Sequence, residues 1–141
     1  MYKKILIATD GSETADAAVE HAAYLARAAD ADEVVVLHVC PACTPELDPD
    51  SKNRETAAEI VKKAGESIAS EGIVVRTMVE MDYPPEEVGE AVVDIATSEN
   101  VDLLILGSRG LSEFKGILLG SVSHKVLQKA SCPVLVIKAG E

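Results

Sequence analysis

The chain has 141 residues, 48% of them apolar and 26% charged, which suits one domain that buries roughly two-thirds of the surface its unfolded chain exposes. Its formal net charge of -11 and pI of about 4.7 oppose phosphate backbones and anionic lipid, so neither nucleic-acid polymers nor membranes are expected partners. Aromatics make up 3% of the residues and tryptophan is absent, leaving the core to Val, Ile, Leu and Ala.

No apolar run approaches the length of a bilayer span. The opening "MYKKILIATDGS" has an apolar stretch too short for a secretory signal. The 3 cysteines are too few for a disulfide scaffold. The expected compartment is the cytoplasm.

Lys4 to Thr9 is a short apolar run ending at Asp10-Gly11-Ser12. It reads as a strand buried on both faces, with Ser12 as the cap of the helix that follows. Ala15, Ala18, Val19, Ala22, Leu25 and Ala26 recur at helical spacing, and their small size lets the helix approach a sheet. Val34 to Val39 is a second strand, and the proline-rich Cys40 to Asp50 a loop. Ala57, Ile60, Val61, Ala64 and Ile68 mark a second helix ending near Gly72. Ile73 to Met81 is a third strand, more exposed at Arg76 and Thr77. Pro84 and Pro85 suit the first turn of a third helix, Glu86 and Glu87 its positive end, and Val88, Val92, Ile95 and Ala96 its buried stripe. Leu103 to Leu106 is a fourth strand. Val122, Val126 and Leu127 are expected to face one way on a fourth helix, and Val134 to Ile137 is a fifth strand. Strict alternation of strand and helix implies an α/β fold: an open parallel sheet, helices on both faces and right-handed crossovers. Ligands of such sheets sit beyond the carboxyl ends of the strands, where the strand order reverses.

One stretch stands apart. "GSRGLSEFKGILLGS", Gly107 to Ser121, follows the fourth strand and is dense in glycine. It matches neither G-x-x-x-x-G-K-[ST] nor G-x-G-x-x-G. Gly107 and Gly110 let backbone approach a ligand closely, and Gly120-Ser121 opens a helix whose free N–H groups favour an anion. Ser121 and Ser123 add hydroxyls, and Arg109 and Lys115 are the stretch's cations. On spacing alone, an ordinary loop of turn glycines is an equal reading.

The pattern Gly107-x2-Gly110-x9-Gly120-Ser121 after a parallel strand resembles the ATP-binding signature of the universal stress protein family. "KKILIATDGSE", "VVVLHV" and "LLGSVSHKVLQKASCPVLVIK" resemble it as well, so the likeness covers nearly the whole chain as one domain, 1–141. The resemblance implies a Rossmann-like sheet of the adenine nucleotide alpha hydrolase-like kind, five parallel strands in the order 3-2-1-4-5, with Asp10 beside Gly107. It implies that Ala8, Thr9 and Asp10 meet the ribose and adenine side and that the Val39 backbone holds the base. Leu106, Gly107, Arg109, Gly110, Gly120, Ser121, Val122 and Ser123 would surround ribose and phosphates. ATP is the implied ligand, with Mg²⁺ or Mn²⁺ carried on its phosphates near Asp10 rather than by a side-chain metal site. The resemblance also implies a homodimer through antiparallel pairing of Val134–Ile137. One departure is Asp82, where relatives often have glycine; it either crowds the base or turns the chain.

The remaining chemistry-bearing residues suggest less. Asp10 has an Asx-turn as its alternative role. Cys40-Pro41-Ala42-Cys43 lacks a second pair to complete a zinc site and is read as incidental against redox or metal roles. Cys132 is expected to be a small packed residue. His21, His38 and His124 form no triad or metal spacing, and no base is placed to activate Ser12 or Ser121. Two functions follow: a nucleotide-dependent regulatory module with no catalytic residues of its own, or a slow Mg²⁺-dependent ATP hydrolase using Arg109, Lys115 and Asp10. A phosphoacceptor receiver domain fits less well, because Asp10 is followed by Gly11 and Ser12 rather than a second acid.

Overall fold

The computed structural model describes residues 1–10, 13–41, 52–107 and 120–138. In chain order these form β1 (Lys4–Ala8), α1 (Glu13–Ala29), β2 (Glu33–Pro41), α2 (Lys52–Ala69), β3 (Val75–Tyr83), a 3₁₀ turn (Pro85–Glu87), α3 (Val88–Ser98), β4 (Leu103–Gly107), α4 (Ser121–Lys129) and β5 (Val134–Ile137). All four strand pairings are parallel, and the sheet order is β3-β2-β1-β4-β5. The expected α/β architecture and strand order are therefore the observed ones. No helix among the described residues is long and apolar enough to cross a membrane.

The central strands are apolar without interruption because both faces are covered. Ile5 and Ile7, with Val34, Val36, Leu103 and Ile105, pack against Ala18, Ala22 and Ala26 of α1 and Val61, Ala64 and Ile68 of α2. Leu6, with Val35, Leu37, Leu104 and Leu106, packs on the opposite face against Val88, Ala91, Val92 and Ala96 of α3 and Val126 of α4. Ile5, Leu6 and Ile7 are completely buried, each contributing about 2–3 kcal/mol relative to an exposed side chain. A charge at Leu6 would open the second of these cores.

Two helices stop without glycine. Asp30 (φ 54) and Asn100 (φ 56) take the left-handed conformation after α1 and α3, which Asp and Asn tolerate better than other side chains. The next residues return bonds across the helix end, Ala31 N–H to the Ala26 carbonyl at 2.9 Å and Val101 N–H to Ala96 at 3.0 Å. This is the Schellman closure. Each turn leads straight into a central strand, and Asp102 Oδ2 accepts the N–H groups of Lys3 and Lys4 at 3.0 and 2.9 Å, tying the start of β1 to that of β4.

Several boundaries differ from expectation. β2 runs on through Cys40 and Pro41, so the loop begins later; Cys40 is buried. β3 starts two residues late, after Gly72 (φ 83), and ends at Tyr83. Its pairing shifts between Val39↔Glu80 and Pro41↔Tyr83, which places one extra residue in β3, a bulge. Asp82 is thus a strand residue and does not turn the chain; the 3₁₀ turn does so after Pro84, whose carbonyl accepts the Glu87 N–H at 2.8 Å. On α4, Val126 is fully buried, but Leu127 is 44% exposed. A residue one step beyond Val126 is rotated about 100° out of the stripe, so Leu127 does not share the buried face.

At the amino end of the sheet a charge network joins four elements. Lys4 Nζ lies 3.0 Å from Glu99 and 3.7 Å from Glu33, and Arg76 Nη2 lies 3.0 Å from Glu33 and also bonds Glu99. The hydrogen bonds from Arg76 and then Lys4 hold the Glu99 carboxyl down at about 2. A lowered carboxyl favours the folded state above the ordinary carboxylate range, and that stability is lost as pH falls towards 2. The network is partly solvated, so its contribution is modest. In Glu99→Gln the decline of unfolding free energy between about pH 4.5 and 2 should be shallower than in the parent; identical slopes in acid-dependent urea titrations would contradict this.

α3 and α4 touch closely at Gly89. A Cβ there would lie 2.7 Å from Lys125 Cβ and 2.9 Å from its Cγ, and the first of these cannot move without moving α4. Glu90 adds ion pairs to Lys129 at 2.7 Å and Lys125 at 3.9 Å. Gly89→Ala should therefore destabilise the fold by about 1–3 kcal/mol through overpacking, despite Ala being the better helix former. Urea denaturation that finds the variant equal or more stable would refute the close approach.

Candidate functional site

The strand order reverses between β1 and β4. From β1 the chain moves outward to β2 and β3, and from β4 it moves the other way to β5. The helices that leave the two central strands, α1 and α4, lie on opposite faces, which is the place where open parallel sheets have their ligand crevice.

One wall is the end of β1. Ala8 pairs with Leu37 on one side and Leu106 on the other. The Thr9 N–H carries the pairing one step further, to the Leu37 carbonyl at 2.9 Å, and Thr9 is buried. Asp10 is half-buried just beyond it. Val39, towards the end of β2, is buried and pairs with Glu80.

The other wall is the end of β4 and the start of α4. Leu106 is buried, and Gly107, half-buried, is the last strand residue, paired with Ile137. Gly120 caps α4 with φ -72 and ψ 167; it has no side chain to bond the first-turn N–H groups, and its carbonyl accepts the His124 N–H at 3.0 Å. The N–H groups of Ser121, Val122 and Ser123 have no partner within the helix. Ser121 is exposed and Val122 half-buried. Ser123 is 2% exposed, and its hydroxyl donates to the Gly107 carbonyl at 3.1 Å. The one proton of that hydroxyl is committed, so Ser123 braces the helix start against the strand end.

Ala8, Thr9, Asp10, Val39, Leu106, Gly107 and the four residues Gly120, Ser121, Val122 and Ser123 thus gather at the carboxyl end of the sheet. Arg109, Gly110, Lys115, Ser12 and Cys43 lie outside the described residues. Among the described residues no group of three or more His, Cys, Asp or Glu side chains could hold a metal ion. What the arrangement offers chemically is a small-residue approach and the electropositive end of a helix, suited to an anion.

One residue here was assigned no part from sequence. His38 Nδ1 lies 2.7 Å from the Thr9 carbonyl, so the ring reaches from β2 to the end of β1. Strand alternation aims it to the α1 side, a signal legible in "VVVLHV" only once the strand neighbours are known. Cys132 is half-buried, and burial raises its thiol, which suits the packed role expected of it.

The family model described as the universal stress protein family matches residues 1–138. Universal stress protein MJ0577 of Methanocaldococcus jannaschii is 36% identical over an alignment covering 98% of this chain and 96% of its own. The solved structure of MJ0577 superposes with a TM-score of 0.85 over 100% of this chain and 99% of that one. A universal stress protein from Archaeoglobus fulgidus in complex with dAMP (26% identity, TM-score 0.76) covers 97% of this chain, itself covered to 98%. A universal stress protein in complex with cAMP (25% identity, TM-score 0.73) covers 99%, itself covered to 98%. With the sheet order, its reversal between β1 and β4 and a match running through almost every element, the chain belongs to the universal stress protein family.

Proposed function

We propose that this chain, as one domain, holds ATP in the crevice between β1 and β4 and acts as a nucleotide-dependent regulatory module in the form of a homodimer. The observation that carries this reading is the start of α4. A glycine cap gives the first-turn amides no side-chain cap bond, and the Ser123 brace sets them beside Gly107. Adenine nucleotides in two structural relatives, dAMP and cAMP, support adenine as the base. The backbone of Ala8, Thr9, Asp10 and Val39 would take ribose and base. Gly107, Arg109, Gly110, Gly120, Ser121 and Val122 would surround the phosphates, with Ser123 acting through Gly107.

Mg²⁺ fits this site as an ion carried by the phosphates, because a triphosphate supplies most of the oxygen ligands such an ion takes and one carboxylate can complete them. Asp10 is the acid at that place. The ion's contribution is to neutralise phosphate charge on a protein that is strongly acidic overall.

The dimer reading rests on β5. It is an edge strand with Val134, Leu135 and Val136 only half-buried. The Leu104 N–H donates to the Pro133 carbonyl at 3.0 Å, so alternation turns the N–H groups of Val134 and Val136 to the outer edge. Such an edge invites pairing with a second copy.

MgATP should raise the melting temperature of the parent and be recovered intact after hours. Micromolar binding would correspond to about 8 kcal/mol. Gly120→Val should abolish the thermal shift, because φ -72 and ψ 167 suit any residue and the added side chain enters the space proposed for the phosphates; far-UV circular dichroism should show the parental fold. No shift in the parent would refute nucleotide binding. Steady phosphate release that Arg109→Ala removes would replace the module by a slow hydrolase.

Val136→Pro removes an outward donor at an edge position that tolerates proline. In sedimentation the parent should run as a dimer and the variant as a monomer that still binds ATP. A monomeric parent, or a dimeric variant, would overturn pairing through β5.

A further inference from the structure

We infer that His38 is a positioning residue for the nucleotide: its ring holds the Thr9 carbonyl and thereby sets the end of β1 and the adjoining Asp10 for the ligand. The inference rests on the nucleotide reading above and adds to it a residue on β2 that directly precedes the base-side contact at Val39 yet acts on the end of β1.

The contact is a strong one by geometry. Its 2.7 Å length is at the short end for an N–H···O bond. A carbonyl oxygen only accepts, so the proton is on Nδ1, and the neutral ring is the Nδ1–H tautomer. His38 is itself fixed, because β2 is paired on both sides and His38 pairs with Val79 of β3. The imidazole therefore links a paired strand to the first residue past β1.

The position matters because the carbonyl it holds lies where strand pairing ends. Thr9 N–H to the Leu37 carbonyl is the bond that closes the β1–β2 ladder, and Asp10 follows at once. A group that must meet ribose or a phosphate-bound ion needs placement within about 0.5 Å, which supporting hydrogen bonds provide. On the facing wall Ser123 does the same to the Gly107 carbonyl. The crevice is thus braced at two backbone carbonyls, one on each central strand, by side chains that need not touch the ligand.

Two substitutions separate this role from packing. His38→Asn places an amide N–H close to where Nδ1–H stands but loses ring volume. His38→Leu keeps much of the volume and loses the donor. Calorimetry with MgATP should give His38→Asn an affinity within about threefold of the parent, and His38→Leu one weaker by roughly five- to tenfold, the size expected of one lost hydrogen bond. Hydrogen exchange of the Asp10 amide in the absence of nucleotide should be faster in His38→Leu and near parental in His38→Asn. If His38→Leu binds as the parent does, or if both variants weaken equally, the positioning role is wrong while the nucleotide reading stands. A parent that takes up no nucleotide removes both.

Discussion

Everything functional in this fold depends on the right-handed crossover between parallel strands. Because each crossover has one hand, helices that follow strands stepping in opposite directions lie on opposite faces of the sheet. β1 steps towards β2 and β4 steps towards β5, so α1 and α4 diverge from adjacent strand ends. The crevice is a consequence of topology, and the residues at its rim decide what it holds.

Those residues answer one electrostatic difficulty. The protein carries a formal net charge of -11, and the proposed ligand is a polyanion. On the proposed reading attraction has to be local, from main-chain N–H groups and a helix end. Local attraction works only if the donors are already in place, and this is where packing reaches the site. Gly89 lets α3 press against α4, Ser123 holds the first turn of α4 to β4, and His38 holds the end of β1 to β2. The charge network of Lys4, Glu33, Arg76 and Glu99 lies at the far end of the sheet from these residues. Its work is to fasten the amino ends of three strands to the end of α3.

Much of this is legible in the amino-acid order. Doubly buried strands read as unbroken apolar runs, and "KILIA" and "LLILG" could hardly be anything else. The candidate site is legible where backbone exposure would be its chemistry, since Gly107 and Gly120 lack side chains. What escaped has a common cause: it depends on neighbours distant in sequence. Asp82 belongs to a strand because Tyr83 pairs with Pro41 across a bulge, which no local pattern announces. Leu127 misses the buried stripe because α4 meets the sheet along the line of Val122 and Val126. Ser123 looks like a ligand donor until the Gly107 carbonyl is found beside it, and His38 looks idle until β1 lies next to β2. Asp30 and Asn100 stop helices by tolerating a left-handed turn, a task for which glycine is the expected sign.

The central claim is that the phosphates of an adenine nucleotide rest on the start of α4. The most direct test is amide chemical-shift mapping of the ¹⁵N-labelled protein with MgATP. The account predicts saturable shifts concentrated at Thr9, Asp10, Gly107, Gly120, Ser121, Val122 and Ser123, with Val75 and Arg76 at the far end of the sheet unmoved. Shifts centred instead around Asn100 and Cys132, or none at millimolar nucleotide in a folded chain, would contradict it.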